Sequence, residues 1–332
     1  MLPGQLSNQE GLEPVLDVSY VRLLDTPAAS AQTSNILGAI GYGVPRPGVL
    51  PPSCPFASAP LASAGGEALE IWRTSSPCRA VNLGPVAGAC SDGLTFGVMT
   101  LNDTRAAPLE DIVEDAYHSI FDFLYETGFT SPLRFWNYLT RITQEDYGLE
   151  RYRRFNIGRQ RALSKRSREA LPAAASGVGG TLGESVIYFL AAPAPARPVE
   201  NPRQVSAFAY PPIYGPQSPS FSRASVYRHG GTALMFISGT ASIVGHESRH
   251  VGDLSGQTAE TIENLRTVTA AADIIKASRW AFKIYLRDPA HRDVVDLALR
   301  AAFGDEPKRL YLHGEICRPE LLVEIEAFCH AE

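Results

Sequence analysis

No stretch of this chain stays apolar for the roughly 18–20 residues that a membrane-spanning helix needs. Its opening, MLPGQLSNQEGLEP, lacks the basic start and apolar centre of a secretory signal. Cysteine is scarce: five residues in 332, an odd number with no CxxC pair. That usage points to free thiols in a reducing cytoplasm, and a cytoplasmic protein is the expectation. Excess positive charge is missing as well. A net charge of −5 argues against nucleic acid or an anionic membrane surface as the main partner. What remains is ordinary globular material, 45% hydrophobic and 20% charged. A chain of 332 residues can bury a core without help from metal or disulfide, in one large domain or two.

Taken in order, residues 1–14 read as a loose arm and Val15–Leu24 as a strand. Residues 41–66 carry Pro45, Pro47, Pro51, Pro52, Pro55 and Pro60 among Gly, Ala and Ser, the pattern of an irregular surface or linker segment. Glu67–Trp72 and Gly93–Leu101 read as strands. Pro108–Thr127 reads as a helix: proline suits the first turn, Glu110, Asp111, Glu114 and Asp115 suit the positive end, and Gly128 suits the stop. Strand Pro132–Thr143, helix Leu149–Ala170 (weakened by Gly158) and strand Glu184–Ala191 follow. The last third repeats this order. A hairpin, Ala224–Tyr227 and Thr232–Ile237 about Gly230-Gly231, leads to helix Gln257–Ala277, strand Trp280–Arg287, helix Pro289–Phe303 and two closing strands within Arg309–Phe328. The repeated element order predicts an α+β chain of two lobes, 1–200 and 201–332, jointed by the Pro-rich stretch 192–222. Each lobe would be a mixed sheet with helices packed on one face.

Several motifs compete for the chemistry. His246-Glu247-Ser248-Arg249-His250 is a literal HExxH. Zinc needs both histidines on one face of a helix, whereas this motif follows a β-branched run and Gly245. Strand-to-loop context makes a zinc hydrolase the weakest reading. The glycines of 177–183 lack phosphate-loop spacing and precede a strand, the reverse of a nucleotide site. Most of the basic run 151–168 reads as a solvated helix face. Arg159 is set apart by Gly158, because a break in the helix would aim its planar fork inward at a carboxylate. Arg203, Tyr210, Tyr214 and Arg223 lie in or beside the Pro-rich joint, where they suit either an anion pocket or a packed loop. Ser238-Gly239-Thr240 breaks an apolar strand with small residues that permit close approach. Cys317 reads as a buried small hydrophobe or a site residue. Glu324 and Glu326 share one side of the last strand, so that face is wet or a site, and burial would keep a carboxyl protonated there.

The hairpin, the SGT break, QTAETIENL at 257–265 and CRPELLVEIEA at 317–327 resemble the reactive-imine deaminase (Rid, YjgF-like) fold. YRRFNIGRQRAL at 152–163 and SAFAYPPIYGPQSPSFSRA at 206–224 resemble the bacterial chorismatases, which carry a Rid-like domain and remove pyruvate from chorismate. The likeness runs from about residue 90 to the end. It implies two Rid-like, chorismate mutase-like lobes, chorismate as the small-molecule partner, no cofactor, and a monomer or homotrimer. It implies Glu324 as general acid and Arg159, Arg203, Arg223, Tyr210 and Tyr214 as carboxylate clamps. Asn156, Thr240 and Ala241 are implied as further substrate contacts. Within the family, Cys at the position of Cys317 implies 3-hydroxybenzoate, with 4-hydroxybenzoate as a possible second product. Alanine there would imply the hydrolytic outcome, a dihydroxycyclohexadiene carboxylate. An imine deaminase would carry arginine directly before the cysteine, where this chain has Ile316.

Overall fold

A computed structural model describes residues 14–23, 33–91, 93–103, 107–166, 172–229, 231–274 and 276–331. Residues 1–13 of the expected arm at 1–14, the end of the basic run with Arg168, and Gly230 of the hairpin lie outside the described residues.

Three sheets share one interior. An N-terminal sheet runs Leu16–Arg22, Ala68–Thr74, Ile36–Tyr42, Phe56–Ala59. A central sheet of seven strands runs Glu315–Ile316, Ala174–Gly180, Ser131–Thr140, Ser185–Ala192, Leu94–Leu101, Val86–Ser91, Arg79–Leu83. A C-terminal sheet of seven runs Arg197–Val199, Ala224–His229, Thr232–Ala241, Val323–Ala331, Ala277–Leu286, Lys308–His313, Ala62–Ser63. Parallel and antiparallel pairs occur in all three.

Side-chain alternation along each strand separates an inner face from an outer one. In the central sheet Phe135 and Ile187 face out to helices α1 (Leu109–Thr127) and α2 (Arg151–Arg166), while Trp136 and Tyr188 face in. In the C-terminal sheet Met235 and Ile284 face out to α3 (Leu254–Ala271) and α4 (Arg292–Phe303), while Phe236 and Tyr285 face in. The N-terminal sheet adds Ile40, Tyr42 and Trp72 to the same interior. The α+β class and the helices on one face of each of two sheets are as expected; the third sheet, which has no α-helix of its own among the described residues, is not. Among the described residues no helix is long and apolar enough to cross a membrane.

Three departures have physical causes. The Pro-rich segment 41–66 is built in, not irregular throughout. It supplies two edge strands, Phe56–Ala59 and Ala62–Ser63, where missing amide donors do least harm, and it buries Val44, Leu50 and Cys54. Strand Ala174–Gly180 has almost no β-forming residues, because bulk is excluded there. A Cβ at Gly180 would overlap the carbonyl of Pro60, and one at Gly179 would overlap Ile142. Helix α2 is continuous through Gly158, whose Cβ would collide with the Glu110 carbonyl, so this glycine serves close α1–α2 packing and does not interrupt the helix.

The shared interior holds charges. Lys283 Nζ lies 3.0 Å from Glu70 Oε2 and 2.9 Å from Glu326 Oε1, and Arg134 Nη2 lies 2.7 Å from Glu326 Oε2. The hydroxyls of Tyr42, Tyr138, Tyr188 and Tyr285 join them. All three sheets contribute, and the four formal charges sum to zero. Removing one cation strands a buried carboxylate, so Lys283→Met should destabilise the fold by about 3–5 kcal/mol. The check is a urea-denaturation midpoint; a midpoint like that of the parent chain would show that the network adds nothing to stability.

Candidate active site

Where the central and C-terminal sheets meet, a cavity of about 310 Å³ opens. Its floor comes from Ala175, Ser176 and Gly177 on one sheet and Gly239, Ala241 and Glu324 on the other. Helix α2 adds Tyr152, Asn156 and Arg159, the Pro-rich joint adds Tyr210, Tyr214 and Arg223, and residues 317–321 close the rim.

The SGT break forms a bulge. Pairing between Thr232–Ala241 and Val323–Ala331 slips a register between Ile237 and Thr240, which bends the strand beside the cavity. Gly239 sits in that bend; its N–H donates to Ser176 Oγ at 2.9 Å, and a Cβ there would overlap Glu324 Oε1. Glycine is required because backbone and acid must touch.

The Glu324 carboxyl is pushed up to about 8, first by burial and then by the charge of Glu326, against the opposing pull of Arg134 and Arg223. It is therefore largely protonated at neutral pH. The Cys317 thiol is pushed up to about 12 by burial, with the Glu324 charge adding to it, so the sulfur stays protonated and is no thiolate nucleophile.

Two buried arginines line the same cavity from other elements. Arg159 is 4% exposed, lies 5.4 Å and 5.6 Å from the ring centroids of Tyr117 and Phe135, and keeps its buried Nε without a partner. Arg223 Nη2 donates to Val205 O at 2.8 Å and Tyr210 Oη at 2.9 Å, yet its Nε is also buried and unpartnered. A buried donor without an acceptor costs about 1–3 kcal/mol, so both sites are suited to an anion. Tyr214 donates to the His246 carbonyl at 2.6 Å, and Arg318 stacks 4.1 Å from its ring centroid.

Of the residues singled out in the sequence, Glu324, Cys317, Asn156, Arg159, Tyr210, Tyr214, Arg223 and Ala241 line the cavity. Arg203 and Thr240 do not. Arg203 pairs with Glu260 at 2.5 Å and donates to Asn264 Oδ1, which ties it to α3. Thr240 donates to Ser238 O, on the face turned away from Gly239 and Ala241. The HExxH motif falls on a two-stranded ribbon, Ile243–Val244 with Glu247–Ser248, with His246 in its turn beside Gly245 (φ of 62°) and His250 beyond its second strand. They share no helix face. The His246 carbonyl instead holds Tyr214 and Arg318 in the cavity wall. Sequence reasoning missed Tyr152, Ser176 and Arg318. Arg318 had a signal in its place beside Cys317, and Tyr152 in opening the stretch at 152–163; Ser176 lies in a run of small residues that gives no hint of chemistry.

Residues 70–191 match the family model "Chorismatase FkbO/Hyg5-like, N-terminal". A chorismatase of Streptomyces hygroscopicus is 30% identical across 97% of this chain and 98% of its own length. The chain belongs to the chorismatase family. A second chorismatase, from Streptomyces rapamycinicus, is 34% identical across 95% of this family member and 99% of its own length. A 3-hydroxybenzoate synthase of Streptomyces hygroscopicus is 36% identical across 64% and 67%. The crystal structure of a chorismatase superposes with a TM-score of 0.84 at 27% identity, covering 95% of this chorismatase-family chain and 98% of that one.

The bulge yields a test. Gly239→Ala should retain the fold, read by circular dichroism, while displacing Glu324 and lowering kcat about 100-fold, the scale of a roughly 1 Å misplacement. Turnover at the parent rate would show that the acid does not need this contact.

Proposed function

We propose that this chain cleaves the enolpyruvyl ether of chorismate, giving pyruvate and 3-hydroxybenzoate, with 4-hydroxybenzoate as a second product. The observation that carries the reading is a protonated, buried Glu324 in a cavity that also holds two buried arginines with unused donors. Chorismate is a dicarboxylate, and each carboxylate asks for a charge-assisted donor. Arg159 and Arg223 supply them from opposite elements, with the Tyr210 hydroxyl held against Arg223.

An enol ether is stable until its terminal methylene carbon takes a proton. Glu324 delivers that proton and becomes a carboxylate, and the substrate becomes an oxocarbenium ion. Breaking the bond between the ring carbon and the ether oxygen then leaves pyruvate and a ring cation. If the neighbouring ring hydroxyl closes onto that cation, its proton leaves and an epoxide forms. Reprotonation and reopening at the hydroxyl's original carbon, then loss of the ring proton from the former ether carbon, give 3-hydroxybenzoate, whereas direct proton loss from the first cation gives 4-hydroxybenzoate. Either route returns a proton to Glu324, so the overall change is an isomeric split with no water consumed. Cys317 lies on the cavity lining near Glu324, and its neutral, weakly polar sulfur favours ring-proton loss over capture of water. Water capture would give the dihydroxycyclohexadiene carboxylate instead. The similarity to a 3-hydroxybenzoate synthase supports the aromatic outcome.

Glu324→Gln preserves size but cannot give a carboxyl proton, so kcat should fall by about 10²–10⁴ with substrate binding largely kept. In the parent enzyme the acid must be protonated. The turnover rate should therefore hold at neutral pH and decline as pH rises through about 8. Pyruvate release by the glutamine variant at the parent rate, or a rate flat to pH 10 (about two units beyond that point), would remove the assignment.

Arg159→Ala deletes a charge-assisted contact of about 1.5–3 kcal/mol and should raise KM roughly ten- to a hundredfold. An unchanged KM would return Arg159 to a packing role. Cys317→Ala should release pyruvate still, while chromatography of the ring product shows a shift away from 3-hydroxybenzoate; an unaltered product would end the branch-point role of the thiol.

A further inference from the structure

Cavity lining alone does not explain a neutral Glu324, since Arg134 and Arg223 both favour its charged form. The explanation lies two residues on, on the same face of the same strand. Glu326 is 3% exposed and accepts from five donors. Its Oε1 takes Trp136 Nε1 at 2.5 Å and Lys283 Nζ at 2.9 Å. Its Oε2 takes Ser176 Oγ at 2.6 Å, Arg134 Nη2 at 2.7 Å and Tyr285 Oη at 2.8 Å. Among the described residues nothing hydrogen-bonds the Glu324 carboxyl. Ser176 connects the two: its hydroxyl donates to Glu326 and accepts the Gly239 N–H that abuts Glu324.

We propose that Glu326 is a positioning residue for the acid: its caged carboxylate fixes a negative charge beside which Glu324 is held as a neutral carboxyl facing the cavity. This rests on the reading of Glu324 as the acid. The cluster itself is balanced, Glu70 and Glu326 against Lys283 and Arg134, so it has no cation left over for an ionised Glu324. Each packed element presents its own groups to the pair. The central sheet presents Arg134, Trp136, Tyr138 and Ser176 to Glu326. The C-terminal sheet presents Lys283 and Tyr285, and the N-terminal sheet presents Tyr20 and, through Lys283, Glu70. Facing Glu324 are Arg134, Arg223, Cys317 and Tyr152, of which only the arginines favour its charge. The anion of Glu326 is what outweighs them, together with burial.

The test follows the carboxyl carbonyl stretch of Glu324 by infrared difference spectroscopy against pH, the band being assigned by its loss in Glu324→Gln. Turnover of chorismate against pH is measured alongside. In the parent protein the band should titrate near about 8. Glu326→Gln should move both the band and the alkaline limb of kcat down by about one pH unit or more, the effect of losing an adjacent like charge. Glu326→Asp keeps the charge and should leave the midpoint near that of the parent. Should Glu326→Gln fail to fold, the double variant E326Q/K283M removes one charge of each sign and should show the same downward move. An unmoved midpoint in the folded variant overturns the proposal, as does an aspartate variant that moves as far as the glutamine one. The band needs no turnover, so the two readings fail separately. Pyruvate release kept by Glu324→Gln would overturn the acid and its positioning alike, whereas a stationary band overturns Glu326 alone.

Discussion

The carboxylate of Glu326 is the point on which the three sheets converge. Arg134 and Trp136 reach it from the central sheet, Lys283 and Tyr285 from the C-terminal sheet, and Lys283 ties it on to Glu70 in the N-terminal sheet. Charges so deep are tolerable when each is paired at close range, because desolvation of each ion costs several kcal/mol and only good geometry offsets it. Each of these four has an opposite charge within 3.0 Å, and Arg134 Nη1 alone is left without an acceptor. A half-satisfied network would be worse than an apolar interior. Separating the three sheets would leave some member of this set unpaired. Strand exchange reinforces the constraint, with Glu315–Ile316 completing the central sheet and Ala62–Ser63 the C-terminal one.

The cavity follows from how those sheets meet. Strand Ala174–Gly180 and the bulged end of Thr232–Ala241 approach closely because both are built from small residues, and the gap they leave is lined by whatever the flanking elements project. The environment then divides the labour between two carboxyls two positions apart. Burial raises both, but Lys283 and Arg134 bring Glu326 down to about 2, while at Glu324 the pull of Arg134 and Arg223 is outweighed by burial and by the Glu326 charge, and it rises to about 8. Two identical side chains on one strand thus end as a permanent anion and a proton donor, a separation set by their neighbours alone.

Much of this is legible in the residues. Helix α1 is framed by Pro108 and by Gly128, which caps it at φ of 77°, and Ala224–His229 pairs antiparallel with the strand from Thr232, as the hairpin pattern predicts. Period-two alternation by itself puts Glu324 and Glu326 on one face of the last strand. Other features leave no local trace. The N-terminal sheet is hidden behind a Pro-rich segment whose edge-strand role depends on partners far away in the chain. Gly158 has the look of a break in a helix and is a contact between two helices. Arg203 and Arg223 are indistinguishable by type and neighbourhood; one is drawn to Glu260 on α3, the other turns into the cavity.

Local chemistry was therefore determined by the sequence: which residues alternate, where helices start and stop, which side chains can hold a proton or an anion, and that HESRH sits in strand-to-loop surroundings. Those properties depend on neighbours within a few positions, and short-range patterns express them. Tertiary structure alone decided which of the candidates meet, because convergence depends on contacts between residues as distant as Arg134 and Glu326. It also decided that Glu324 keeps its proton while Glu326 does not. Coulomb interactions and desolvation act through space, and no spacing along the chain encodes them.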